Sequence, residues 1–359
     1  MRRAQLAGAL LLAAAAAGAA VSPRTTLAAG LAAWWWALGL VLGVFVNAWM
    51  HVLTGGAWGG PVRALASLLA PRLPWLLLGL PVVASGAGLL YPWAGQPAGE
   101  WARDLDRPAF AVAWLTPGWF TLRLAVYALA WWWATRPGSL RSGGRAAGSL
   151  IVYALATTLA GVDLLMSLLP GWRSSAFGLV LMATQALSGA AAVAAWTSLG
   201  PPWPAAAKVP VSRDLGNLLL MWCMTWGYLA FMQFLVIWAE DLPREIAWYL
   251  PRLQTGWQWI GVALVLLQLA VPFLVLLLRA VKDHPARLRP VAALLLASAA
   301  LDAAWTVLPS VDAHDLNAWW ITPLAVAGLA LLLLAGIGPH RVDPAEKQAR
   351  DHAKDLRHA

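Results

Sequence analysis

Residues Val162–Gly178 read VDLLMSLLPGWRSSAFG: the end of one apolar run, a short turn, and the start of the next. The stretch carries Asp163, one of three charges that fall inside an apolar run long enough to cross a membrane; Arg123 and Asp302 are the others. It also recurs. Asp163-Leu-Leu-Met-Ser-Leu-Leu-Pro170 matches Asp302-Ala-Ala-Trp-Thr-Val-Leu-Pro309 as D-x-x-(M/W)-(S/T)-(aliphatic)-L-P, 139 residues later, and Gly118-Trp119 is echoed by Gly256-Trp257 at an offset of 138. Two landmarks at nearly one offset predict an internal duplication, a common construction among membrane proteins.

The composition agrees with a membrane setting. The 359 residues are 61% hydrophobic and 11% charged, with a mean hydropathy of +0.67, whereas a soluble domain carries about 25% charge. One cysteine, Cys223, excludes a disulfide framework, a CxxC pair and an iron–sulfur cluster held by this chain alone. Of the six histidines only His51 lies at the edge of a span, so a bis-histidine haem within the membrane has no ligands here.

A span needs about 20 apolar residues. Ten such runs follow one another, at roughly 5–22, 30–53, 73–92, 110–134, 148–169, 176–198, 216–238, 256–279, 289–308 and 317–337. The first resembles a signal peptide, but its apolar part is long and a retained helix is expected. The expected fold is an all-α membrane protein of about ten transmembrane helices. Residues 1–29 hold the first span and loop, 30–169 and 170–311 two tandem four-helix bundles (spans two to five and six to nine), 312–337 the last span, and 338–359 a charged tail. Four spans separate the two Asp motifs, so both copies run in one direction and the bundles are related by an axis along the membrane normal.

Location explains the charge of +9. Eighteen Lys and Arg fall on the side of the two termini and six on the other, which predicts cytoplasmic termini. The basic tail reads as a solvated extension, and nothing points to nucleic acid. The 25 tryptophans include many near span ends, Trp93, Trp172, Trp203 and Trp248 among them, which read as interfacial belt residues.

Three residues stand out for chemistry. An Asp at mid-span costs about 2.5–3.5 kcal/mol on insertion scales and usually faces a bundle interior or water. Ser167 and Thr306 follow Asp163 and Asp302 by four residues, which puts hydroxyl and carboxyl on one helix face. The pairs read either as a proton path or quinol pocket, or as helix caps and ion pairs that fix packing. Arg123 does not deprotonate. Its expected partner is Asp163 on the next, antiparallel helix, while Asp302 has no basic residue within its own half's spans and is the better candidate to carry protons. His51 can exchange protons or simply close a helix end. Tyr228, Gln233 and Gln185 read as interhelical hydrogen-bonding residues. No nucleophile–base pair, metal-ligand spacing or phosphate-binding loop is present.

His51-Val-Leu-Thr-Gly-Gly-x-Trp-Gly59, Leu90-Tyr-Pro-Trp93, Val162–Gly178, Asp214-Leu-Gly-Asn-Leu-Leu-Leu220, Tyr228-Leu-Ala-Phe-x-Gln-Phe234 and Glu245-x-x-Trp-Tyr-Leu250 occur in that order, followed by Gly256-Trp257, Arg279–Arg289 and Asp302–Pro309. Together they resemble the ActF subunit of alternative complex III, a bacterial quinol:cytochrome c oxidoreductase, over about residues 35–311. The resemblance implies a ten-span subunit of the NrfD/PsrC type in the bacterial cytoplasmic membrane. It implies a sister NrfD-like membrane subunit, an iron–sulfur protein and haem c subunits as partners. It implies no redox cofactor bound by this chain, with quinone or quinol as the small molecule it can contact. Where the family pattern has Trp, Glu and His, Leu164, Leu169 and Gly171 stand here, which weakens a role in quinol oxidation itself, since that needs a proton acceptor beside the quinol. The expected function is that of a membrane subunit supporting quinol oxidation and proton transfer. The alternatives are a secondary transporter with parallel repeats and a purely structural or assembly subunit.

Overall fold

The computed structural model describes residues 2–103, 105–200 and 211–339. Every regular element in it is helical. The elements in the order of the ten expected spans are α1 (Arg2–Ala17), α2 (Pro23–Thr54), α3 (Gly59–Ser85), α4 (Pro117–Ala134), α5 (Gly143–Leu164), α6 (Phe177–Thr197), α7 (Val211–Glu240), α8 (Gln258–Leu277), α9 (Pro285–Val311) and α10 (Ala318–Leu334). Among the described residues, eight helices are long and apolar enough to cross a membrane, and α4 makes a ninth when joined to the short helix Pro108–Trp114 before it, from which it bends by 61°. The 17-residue α10 is apolar but shorter. The chain is thus an all-α, multi-pass membrane protein. Trp203 and all but the first residues of the expected charged tail lie outside the described residues.

Two expected spans differ in detail. The third begins near Gly59 rather than at 73. Pro71 does not end it, because Pro71 and Pro74 occupy the first turns of successive helical segments, where a missing N–H leaves no bond unmade. The fourth is broken at Leu115-Thr116. Thr116 is extended, as a residue before proline prefers, and Pro117 opens α4.

The helix α2 runs through the middle of the molecule. Its Trp34, Trp35 and Trp36 are all buried, and Trp34 Nε1 donates to the Leu76 carbonyl of α3 at 2.6 Å. α2 packs against α6, α9, α10 and α5, and one hydrophobic core runs through both halves. The lead helices of the two halves cross at Gly43 and Gly189. A Cβ at Gly43 would collide with the Gln185 carbonyl, and one at Gly189 with the Gly43 backbone, so only glycine allows this approach. Beside the crossing, Asn47 Nδ2 donates to the Ala186 carbonyl at 2.9 Å, and Asn47 Oδ1 accepts from Trp222 Nε1 of α7 at 2.9 Å. The flanking helices α1 and α10 pack on each other through Gly8 and Gly328.

Several tryptophans expected in an interfacial belt are interior. Trp93, Trp172 and Trp248 are buried. Trp172, in the loop that leads into α6, and Trp248 stack 5.0 Å apart. Trp238 and Trp319 are exposed, as a belt requires.

Asp315, in the loop between α9 and α10, fastens that loop to the start of α2. Ser22 and Thr25 both donate to its Oδ2 at 2.5 Å, and the Asn317 N–H donates to Oδ1 at 2.9 Å. These donors hold its pKa down, at about 2. A carboxylate whose folded-state pKa lies below the unfolded value of about 3.9 adds stability above that value and loses it as pH falls through the folded one. Melting in detergent should therefore show wild type more stable than Asp315→Asn at pH 5, with the gap closing as pH falls from about 4 to about 2. A gap that does not change with pH would show that the carboxylate charge contributes nothing there.

Candidate functional site

The two Asp motifs fold differently. In the first, α5 ends at Leu164, one residue after Asp163. Its last carbonyls are satisfied by side chains: Tyr91 OH donates to Leu164 O at 3.0 Å and Ser167 Oγ to Asp163 O at 2.5 Å, while Trp93 Nε1 donates to Ser167 Oγ at 3.2 Å. Ser167 is thus a helix cap and makes no bond to the Asp163 carboxylate. In the second, α9 stays helical through Pro309 to Val311.

Asp163 is 1% exposed and meets four donors. Arg123 Nε reaches Oδ2 at 2.6 Å and Nη2 reaches Oδ1 at 3.1 Å, a two-pronged ion pair. Tyr127 OH adds a bond to Oδ2 at 2.6 Å and Trp114 Nε1 one to Oδ1 at 3.2 Å. The break at Leu115-Thr116 is what brings Trp114 here: its ring lies 4.2 Å from the Arg123 guanidinium and its carbonyl accepts from Nη1 at 2.9 Å. The expected Arg123–Asp163 pair is present, inside a cage that satisfies both charges.

Asp302 is buried without an ion pair among the described residues. Thr184 Oγ1 of α6 donates to its Oδ2 at 2.9 Å. A narrow cavity of about 20 Å³ adjoins it, lined by Trp36 and Gly39 of α2, Thr184, Gln185 and Ser188 of α6, and Thr306 of α9. Gln185 is interhelical as expected, since its Oε1 accepts from Tyr153 OH of α5 at 2.8 Å. Gln233 accepts from Ser174 at 3.1 Å. Tyr228 differs from expectation: it is exposed on the outer surface of α7.

His51 is not brought to either carboxylate. Its Nε2 lies 3.0 Å from Gly56 O and its ring meets Trp58 edge-on, which closes the turn after α2. Trp49 bonds Ser139, just before α5 starts, so the His51 end of α2 and Asp163 stand at opposite ends of α5, roughly 30 Å apart at 1.5 Å per residue.

Sequence reasoning counted Arg252 only as one of the six basic residues on the side away from the termini. Arg252 is 0% exposed. Pro309 has no N–H, so the Trp305 carbonyl four residues earlier lacks its helical donor. Arg252 Nε supplies one at 3.0 Å. Its Nη2 donates to Thr306 O at 2.6 Å and Ser310 Oγ at 2.8 Å, and its Nη1 to Trp248 O at 2.5 Å, with the guanidinium 3.6 Å over the Trp248 ring. A proline inside an apolar helix, together with Trp248 and Arg252 one turn apart nearby, was the signal for it.

Leu169 and Gly171 line a surface cavity of about 350 Å³ with Trp172 and Arg244. Among the described residues, no group of three His, Cys, Asp or Glu could hold a metal ion. No family model matches the chain, and no curated protein matches it.

Removing one partner of a buried ion pair typically costs about 3–5 kcal/mol, whereas replacing both by apolar groups can be neutral. Asp163→Asn should therefore destabilise strongly, and Arg123→Met with Asp163→Leu should recover most of the loss, as read by unfolding in detergent. A double variant that loses as much as Asp163→Asn and Arg123→Met added together would show that the two charges are not coupled.

Proposed function

We propose that this chain is a membrane subunit of a bacterial respiratory quinol:electron-acceptor oxidoreductase complex of the alternative complex III type. In this reading it works beside a sister NrfD-like subunit, an iron–sulfur protein and haem c subunits in the cytoplasmic membrane. Quinol oxidation releases protons as well as electrons, and a subunit without a redox cofactor of its own serves the proton side. One contrast supports this assignment: Asp163 is locked by a permanent cation, whereas Asp302 meets only neutral partners and a narrow cavity with Thr184, Gln185, Ser188 and Thr306 in its wall. Asp302 then takes up and releases protons, and Asp163 with Arg123 holds the first half together. Thr306 belongs to the Asp302 cavity; Ser167 and His51 serve as helix-end residues.

A second reading, a secondary transporter with parallel repeats, is favoured by an observation of its own. The short helices Pro108–Trp114 and Leu250–Leu253 each precede a Gly-Trp pair, the first as one arm of a span bent by 61°, and α8 contains a π-helical segment, Val265–Ala270. Interrupted helices of this kind line transporter sites.

Purification from the native membrane separates the two. The proposal expects haem and iron–sulfur subunits to co-purify, with quinol oxidation slowed by about tenfold or more in Asp302→Asn while assembly stays normal. A chain that purifies alone, or full turnover in an assembled Asp302→Asn complex, would overturn it.

A further inference from the structure

The cavity beside Asp302 brings together polar atoms that have no protein partner. Trp36 is 9% exposed, Gln185 3% and Ser188 2%, and Trp36 Nε1, Gln185 Nε2 and Ser188 Oγ are all buried and without a hydrogen bond to protein. All three side chains line this one cavity, and so does Asp302, whose Oδ1 accepts no protein hydrogen bond among the described residues. Buried polar groups are nearly always satisfied, by protein or by ordered water.

The space and the donor set select the ligand. About 20 Å³ open to a water-sized sphere suffices for one water, which needs roughly 10–15 Å³ by that measure. The indole N–H and the amide NH₂ are donors only. They disfavour a cation and require an acceptor. A water molecule is an acceptor to both, and it has two protons to give, which Asp302 Oδ1 and Ser188 Oγ can receive.

We propose that this cavity is a binding site for a single water molecule, which accepts from Trp36 Nε1 and Gln185 Nε2 and donates to the Asp302 carboxyl and Ser188. The water joins α9 to both lead helices, α2 and α6. Through Gln185 and Tyr153 it extends the link to α5 in the first half. It gives Asp302 an exchangeable hydrogen-bond partner that Asp163, enclosed by Arg123, Tyr127 and Trp114, does not have. The site stands on these donors alone; its use in proton transfer rests on the function proposed above.

The test is a structure of the full chain in lipid nanodiscs, at a resolution that shows ordered water, in sodium-containing and in sodium-free potassium buffer. One peak is expected in both, about 2.7–3.2 Å from Trp36 Nε1, Gln185 Nε2 and an Asp302 oxygen. In Ser188→Ala, a change of one atom, the peak should persist on its other three partners. In Trp36→Phe it should weaken or shift. A cavity without a peak, a collapsed cavity with Asp302 directly on Trp36, or a peak present only with sodium would each overturn the water site. A peak at this place together with unimpaired quinol oxidation in Asp302→Asn would retain the site and remove the proton role instead.

Discussion

The crossing of α2 and α6 at Gly43 and Gly189 is the constraint on which the rest depends. Without a hydrophobic force between helices in lipid, close packing and interhelical hydrogen bonds hold a bundle together. Backbone contact at this crossing places Asn47 against the Ala186 carbonyl of α6 and sets Gln185 between Tyr153 of the first half and Asp302 of the second. A side chain at either glycine would separate the helices and take the cavity's walls with it. The two halves are therefore not independent bundles joined by a loop. Their lead helices share one core, and the polar site of the second half is walled by a tryptophan from the first.

Each half also holds one arginine near its Asp motif, Arg123 partly buried and Arg252 fully buried, and the two are satisfied in different ways. Arg123 issues from a span and is neutralised by Asp163. Arg252 issues from the segment before α8 and meets carbonyl oxygens, one hydroxyl and the Trp248 face, with no carboxylate. The difference follows from the helix ends. Where α5 stops, Ser167 and Tyr91 cap its carbonyls and leave Arg123 free for the side chain. Where α9 continues through Pro309, the carbonyl left without a donor recruits Arg252, and Asp302 remains without a cation. Matching sequence motifs thus produce one closed and one open carboxylate.

The helices and the Arg123–Asp163 pair were legible in the sequence because both follow from large, local terms: unbroken apolar length, and the high cost of a lone charge in lipid. What escaped was set by backbone hydrogen bonding. Prolines in first turns do not interrupt α3, whereas Thr116-Pro117 does break the fourth run, and apolar composition reads the same in both. Arg252 was hidden because a loop charge reveals its burial only once the orphaned Trp305 carbonyl is recognised. The Ser167 spacing suggested a hydroxyl beside its carboxylate, but the helix ends there and the hydroxyl turns to a carbonyl. The cavity at Asp302 draws on α2, α6 and α9, from Trp35 to Thr306, and no local pattern encodes it.

Under the proposed function, Asp302, and not Asp163, changes protonation during turnover. Infrared difference spectroscopy of the purified complex, with carboxyl-labelled aspartate and quinol added to start turnover, tests it most directly. A quinol-dependent aspartate carboxyl band that is present in wild type and absent in Asp302→Asn is the predicted result. A band that persists unchanged in Asp302→Asn would contradict the account.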